Sequence, residues 1–238
     1  VLDPYNINTK TGRFVLVNQY ETVGGGIISM EGYPNQRGRH KVVSTNIEAV
    51  ASKIDQKTRA SVNGHTGGII WLTGLSGAGK STIAIEAERQ LFQKGYQIYV
   101  LDGDNIRFGL SADLGFTPAD RTENIRRIGE VAKLFADAGV VVITAFISPY
   151  RDDRNRVRAI APDQFHEVFI KADLSTCETR DPKGLYAKAR NGEIEDFTGV
   201  SAPYEEPTDA NLIIDTGAQN IDQSVSKLLD YVSLNFKS

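Results

Sequence analysis

Gly74, Leu75, Ser76, Gly77, Ala78, Gly79, Lys80 and Ser81 match the pattern G-x-x-x-x-G-K-[ST] without a gap. This pattern constrains the fold because it works in only one setting, between the end of a buried strand and the first turn of a helix. There the glycines let the main chain wrap a polyphosphate with several N–H groups facing inward. The helix N-terminus adds partial positive charge. Lys80 is placed to reach the β- and γ-phosphates, and the Ser81 hydroxyl to ligate a divalent cation. The flanking sequence meets the requirement. Ile69, Ile70, Trp71, Leu72 and Thr73 form the short apolar run that a strand buried on both faces needs. Residues 81–94 read as a helix closed by Gly95. The motif implies a nucleoside triphosphate, and by itself it does not choose between a kinase, a GTPase and a motor.

Beyond the loop the alternation continues. Residues 97–101, 140–146, 167–170 and 212–214 read as four further strands. Thr117, Pro118 and Asp120 read as an N-cap, a first-turn proline and a first-turn acid. The helix they open carries Ile125, Ile128, Val131, Leu134 and Phe135 on one face and stops at Gly139. A last helix carries Ile221, Val225, Leu228, Leu229 and Val232. Strands separated by helices predict an α/β fold, a five-stranded parallel sheet flanked by helices, over residues 68–238. Ligands then sit at the carboxyl ends of the strands. Residues 1–35 have a different texture. The apolar runs 14–17 and 23–28, separated by polar turn residues, read as a short β segment. Residues 36–67 read as a linker and N-terminal extension, weakly helical over 46–57 and turn-rich over 63–68.

Composition narrows the function class. The 238 residues carry a net charge of −3, so no global positive field draws in nucleic acid or an anionic membrane. Bound anions must be held by local groups. Cys177 is the single cysteine, which rules out an intrachain disulfide and suits a reducing, cytoplasmic setting. It reads as a small buried hydrophobe. The longest apolar run, near residues 140–147, is far short of the roughly 18 residues of a membrane span. The three histidines are scattered without metal-site spacing.

Several residues near the predicted strand ends suit phosphoryl transfer. Asp102 and Asp104 are two apart, which in extended backbone points both carboxylates to one side. Beside a phosphate loop they suggest one carboxylate for Mg²⁺, with Ser81, and one for an acceptor hydroxyl. Arg121 and Asn124 share a helix face, and Arg107 can join them to hold an anionic acceptor. Arg151, Arg154, Arg156 and Arg158 read instead as a solvated helix face. Ser148 follows the third strand and is placed either to donate a hydrogen bond to the acceptor or to be phosphorylated itself. The stretch from Asp181 to Tyr186, basic and punctuated by glycine, sits where a lid would close and exclude water.

Taken together, these residues resemble the adenylylsulfate kinases. The resemblance runs through residues 74–82, 102–107, 114–116, 120–127, 148–150, 181–186, 197–199 and 203–205, and covers about residues 43–236 in family order. It implies a P-loop kinase that uses ATP and Mg²⁺ to phosphorylate the 3′-hydroxyl of adenosine 5′-phosphosulfate. By the same resemblance, residues 74–82, including Thr82, hold ATP, and Asp104, Arg107, Arg121, Asn124 and Lys183 hold the acceptor. Phe116 and Phe197 sandwich its adenine, with Ile147 and Leu185 beside it. Ser148 matches a serine the family treats as a phosphorylated intermediate, although one cleft that aligns both substrates favours direct transfer. The sequence departs from the family at Ala187–Lys188, where two lysines are expected, which touches only a peripheral lid charge. A homodimer follows from the resemblance alone.

The first 35 residues carry a second resemblance, to the last β-barrel of the elongation-factor-like GTPase subunit of sulfate adenylyltransferase. It implies the C-terminal part of a bifunctional chain, with sulfate adenylyltransferase subunits as partners in the full-length protein. A lone hairpin is marginal in water, so this segment is expected to pack on the kinase domain or on a second subunit. Two other readings stand beside the first: another small-molecule P-loop kinase, and a non-catalytic nucleotide-binding module that docks a partner. Phe116, Phe197 and the arginines argue for an aromatic, anionic acceptor over a sugar. The intact Lys80, Ser81, Asp102 and Asp104 argue against the docking module.

Overall fold

The computed structural model describes residues 13–18, 21–27, 48, 50 and 52–237. The chain divides into two compact units, Val1–Ala49 and Val50–Ser238. In the first, β1 (Arg13–Asn18) and β2 (Glu21–Ile27) form an antiparallel hairpin whose register shifts between Leu16 and Val17. The expected β segment is present as this hairpin. The remainder of residues 1–47, and with it the first part of the expected linker and extension, lies outside the described residues.

The second unit is built on five strands, β3 (Gly68–Thr73), β4 (Ile98–Asp102), β5 (Val141–Ala145), β6 (Phe165–Lys171) and β7 (Leu212–Asp215). They pair in the order β4-β5-β3-β6-β7, every pair parallel. β3 is central, and successive side chains of a strand point to opposite faces. Ile70 and Leu72 join one core with Leu91 of α2 (Lys80–Gln93) and with Val225, Leu228 and Val232 of α8 (Ile221–Asn235). Ile69 and Trp71 join the other with Ile125, Ile128 and Ala132 of α4 (Pro118–Asp137) and Val157 of α5 (Arg151–Ile160). The strand that carries the phosphate loop therefore ties both halves of the core together. The shorter helices are α1 (Gln56–Asn63), α3 (Gly103–Phe108), α6 (Leu174–Arg180) and α7 (Leu185–Arg190). Among the described residues no helix is long and apolar enough to cross a membrane.

Caps fix the helix ends. Thr117 accepts from the Asp120 amide at 3.2 Å to open α4, as its sequence predicts. The helix expected over residues 46–57 lies further along, because Asp55 accepts from the Thr58 amide at 2.7 Å and Gly64, at φ +73°, closes the turn. Leu134 was expected in the apolar face of α4 and is 68% exposed. The buried face instead runs through the small residues Gly129, Ala132 and Ala136. A Cβ at Gly129 would stand 2.8 Å from Val157, so α5 packs more closely than large side chains would allow.

The arginine row on α5 is the larger correction. Arg151 is exposed, but Arg154 is buried and meets buried Glu167 of β6 at 2.5 Å. Arg154 also donates to the carbonyls of Ser148 at 2.7 Å and Glu205 at 2.8 Å. Arg158, partly buried, takes the other Glu167 oxygen at 2.7 Å. The fork geometry of a guanidinium can satisfy a carboxylate and two carbonyls at once, and this makes its burial tolerable. Arg154→Ala leaves Glu167 without its closest buried partner and should destabilise the domain by about 3 to 5 kcal/mol in chemical denaturation. A change below about 1 kcal/mol would show that the pair is not structural.

Candidate active site

The phosphate loop follows β3 directly. Two glycines are required by close approach. At Gly74 a Cβ would stand 2.4 Å from the Ile170 carbonyl oxygen, and at Gly77, with φ +74°, 2.9 Å from that of Cys177. α2 then opens with no side-chain cap and no acid in its first turn, so its first N–H groups remain open to an anion. Lys80 lies buried, its ammonium donating to the carbonyls of Gly74 at 2.9 Å and Leu75 at 2.7 Å. Burial without a carboxylate partner at hydrogen-bond distance pushes its pKa down to about 8.

Ser81 and Asp102 face each other across the loop's end, with Ser81 Oγ donating to Asp102 Oδ2 at 2.6 Å. Two hard oxygen donors side by side fit Mg²⁺, which takes its remaining ligands from water and phosphate. The other Asp102 oxygen accepts from the Asp104 amide at 3.1 Å and caps α3. This corrects the extended-backbone reading of the pair, since Asp104 lies in the first turn of a helix. Both carboxylates nevertheless line the same cavity. Asp104 is ion-paired with Lys183.

That cavity, of about 1360 Å³, runs along the carboxyl edge of the sheet. One end is the phosphate loop, where Ser76, Gly77, Gly79, Lys80, Ser81 and Thr82 line it. Gly74 and Leu75 contribute through the carbonyls that hold Lys80, and Ala78 is buried behind. The cavity is also lined by Arg107, Phe116, Arg121, Asn124, Ile147, Ser148, Lys183, Leu185 and Phe197. Arg107 donates to the Gly115 carbonyl at 2.8 Å and lies 4.2 Å from the centroid of the Phe116 ring. Burial, and then the neighbouring Arg121, depress its pKa. Arg121 donates to Thr198 Oγ1 at 2.8 Å and to the Asp196 carbonyl at 2.5 Å. Asn124 is buried, and its side-chain oxygen has no partner. Phe116 is 63% exposed, whereas Phe197 is buried and packs edge-on to Tyr186.

The expected lid begins at Asp181, whose carboxylate accepts from the amides of Leu185, Tyr186 and Ala187 at 2.8, 3.0 and 3.2 Å. Cys177 is buried beneath the loop, and burial pushes its thiol up. Among the described residues no cluster of three His, Cys, Asp or Glu forms a metal cage.

Sequence reading missed the wall formed by Arg180, Thr216 and Gln219. Thr216 directly follows β7 and donates to the Ala78 carbonyl at 2.9 Å, while Arg180 holds the Thr216 carbonyl at 2.6 Å. The strand-end rule that singled out Ser148 applies equally to Thr216.

The adenylylsulphate kinase family model matches residues 66–215. The chain is 57% identical to the adenylyl-sulfate kinase of Bacillus licheniformis over 192 residues, covering 80% of this chain and 98% of the relative. It is 60% identical to that of Bacillus pumilus over 182 residues, covering 76% and 92%. Among solved structures it is similar to the Mycobacterium tuberculosis APS kinase CysC in complex with AMPPNP and APS. That match has 48% identity and a TM-score of 0.67, and covers 71% of this chain and 98% of the other.

Lys80 sets a pH dependence for nucleotide binding. The free ammonium loses its proton near pH 8, and a bound polyphosphate restores it, so binding takes up a proton above that pH. Affinity for a nucleoside triphosphate should stay flat with respect to this group below about pH 8. Above it, log K should fall with a slope approaching about one per pH unit. Titration calorimetry in buffers of different ionisation enthalpy reads the proton directly, and Lys80→Ala should abolish the uptake. No uptake by the wild-type protein at pH 9 would contradict the assignment.

Proposed function

Because the chain belongs to the adenylylsulphate kinase family, we propose that it transfers the γ-phosphoryl group of ATP to the 3′-hydroxyl of adenosine 5′-phosphosulfate. The products are ADP and 3′-phosphoadenosine 5′-phosphosulfate. The observation that carries this reading is one continuous cavity lined both by a phosphate loop and by Arg107, Arg121 and Asn124. Its volume of about 1360 Å³ exceeds the usual range for one small ligand and suits two nucleotides end to end.

The residues divide the work. The loop amides and Lys80 hold the β- and γ-phosphates, and Lys80 offsets charge on the transferring group. Ser81 and Asp102 would hold Mg²⁺, which would supply charge neutralisation for the phosphates. Arg107, Arg121, Asn124 and Lys183 hold the anionic acceptor, while Phe116 and Phe197 offer ring faces to its base. Asp104 is the carboxylate left to accept the hydrogen bond of the 3′-hydroxyl and orient its oxygen at the γ-phosphorus. Transfer is direct and in line: the 3′-oxygen bonds to phosphorus as the bond to the β-phosphate oxygen breaks. A phosphoserine at Ser148 is disfavoured because that side chain is buried and its oxygen already accepts from Trp71. The family relation also supports a homodimer working in the cytoplasm. The β1–β2 hairpin, with its sequence resemblance, supports reading residues 1–35 as the end of a sulfate adenylyltransferase barrel, with subunits of that enzyme as partners.

ADP release from Mg·ATP should depend on adenosine 5′-phosphosulfate and not on AMP or gluconate, with the 3′-phosphorylated product identified by mass. Lys80→Ala should lower kcat by about a hundredfold or more. Absence of acceptor-dependent turnover in a protein that still binds ATP would overturn this function.

A further inference from the structure

Trp71 is fully buried in the middle of β3, yet its indole N–H reaches Ser148 Oγ at 3.1 Å. An indole nitrogen can only donate, so the Ser148 oxygen must accept. The serine's own O–H then needs a separate acceptor, and among the described residues none stands within hydrogen-bond distance. Ser148 lines the cavity while remaining 1% exposed, so that remaining proton has the cavity to face.

The backbone here is held with equal care. Ser148 has φ +40°, a left-handed conformation that a non-glycine residue adopts only when its surroundings impose it. Arg154 holds its carbonyl at 2.7 Å, and Thr73 Oγ1 holds the preceding Ile147 carbonyl at 2.7 Å. Trp71 itself is locked between Phe146 and Phe165, with ring centroids 6.1 and 5.8 Å away. A rigid indole on the central strand thus sets the rotamer of a strained serine at the strand ends.

We propose that Trp71 is a positioning residue for the acceptor end of the site. By occupying one lone pair of Ser148 Oγ, it fixes the serine O–H as a dedicated donor to an anionic oxygen of the acceptor. The same bond makes Ser148 a poor phosphoryl acceptor, since the structure places no carboxylate or imidazole at hydrogen-bond distance to take its proton. This inference rests on the sulfonucleotide kinase reading above and names a residue through which that reading selects its acceptor.

Trp71→Phe keeps an aromatic side chain at this buried position and removes the pyrrole ring that carries the donor, so the Ser148→Ala and double-variant comparisons separate the lost bond from the lost packing. Trp71→Phe should raise KM for adenosine 5′-phosphosulfate about tenfold while KM for ATP stays within about twofold, because the serine O–H is no longer held toward the anionic oxygen of the acceptor, whereas the ATP contacts are untouched. Ser148→Ala should show a similar rise, and adding Trp71→Phe to it should produce no further change. An unchanged acceptor KM in Trp71→Phe, or effects that multiply in the double variant, would overturn the proposal.

A second measurement needs no change at the indole. Trp71 is the only tryptophan in the chain, so the tryptophan emission comes from this one site. Saturating acceptor should change that emission in the wild-type protein. In Ser148→Ala the change should vanish, although calorimetry still detects binding. An equal change in both proteins would overturn the proposal even if Trp71→Phe failed to fold. A wild-type enzyme with no acceptor-dependent ADP release would overturn the function itself, whereas normal wild-type turnover with an unmoved Trp71→Phe KM would overturn this inference alone.

Discussion

The Lys80 ammonium is buried with two carbonyls and no carboxylate at hydrogen-bond distance, and the site is organised around that deficit. A buried cation without a counter-ion is costly, and the protein meets the cost in part by letting the pKa fall to about 8. The missing negative charge is the one a polyphosphate brings. The same logic explains why α2 carries no acid in its first turn, where a carboxylate would stabilise the free helix and compete with the ligand.

Holding that lysine in place requires β3 to be immovable. Its side chains alternate between two cores, one shared with α2 and α8 and the other with α4 and α5. Trp71 belongs to the second core and touches Ser148, while the strand's last residue, Thr73, ties the Ile147 carbonyl and faces the Tyr204 hydroxyl at 3.0 Å. The phosphate loop and the cavity wall that carries Ser148 therefore hang from neighbouring residues of one strand. A shift of one end relative to the other would have to break both cores. In-line transfer depends on such a fixed distance.

The phosphate loop and the five strands were legible because each carries a local signal, a glycine pattern, a period or a place at a strand end, whereas Phe116, Phe197, Ile147, Lys183 and Leu185 were assigned to the acceptor only through the resemblance to the adenylylsulfate kinases. Arg154 was not legible. Its spacing on α5 is that of a solvated row, and its partner Glu167 lies on a strand whose sequence gives no reason to expect a buried acid. The Trp71–Ser148 bond was equally hidden, since it joins residues 77 apart that each have a commonplace local reading. Asp102 and Asp104 sat between these cases. Their proximity was readable, but an N-cap in the middle of Leu101-Asp102-Gly103-Asp104 puts them on a helix turn and not on an extended strand. In each miss the deciding partner was distant in sequence, or the local geometry had two competing solutions.

Arg154–Glu167 and Lys183–Asp104 are cation–carboxylate pairs of opposite character. Arg154–Glu167 is almost wholly buried, with side chains 1% and 3% exposed, so separating it leaves an uncompensated charge in the interior. It belongs to the back wall that fixes Ser148. Lys183–Asp104 joins the lid to α3, and its side chains are 57% and 62% exposed. Water screens such a pair, and its net contribution is about 0 to 1 kcal/mol. In the proposed reaction an acceptor opens it at little cost, so that Lys183 meets an anion and Asp104 a hydroxyl. The exposed pair on the cavity's lining is thus weak enough to be exchanged for substrate in the proposed reaction, while the wall behind it is fixed by one that is not.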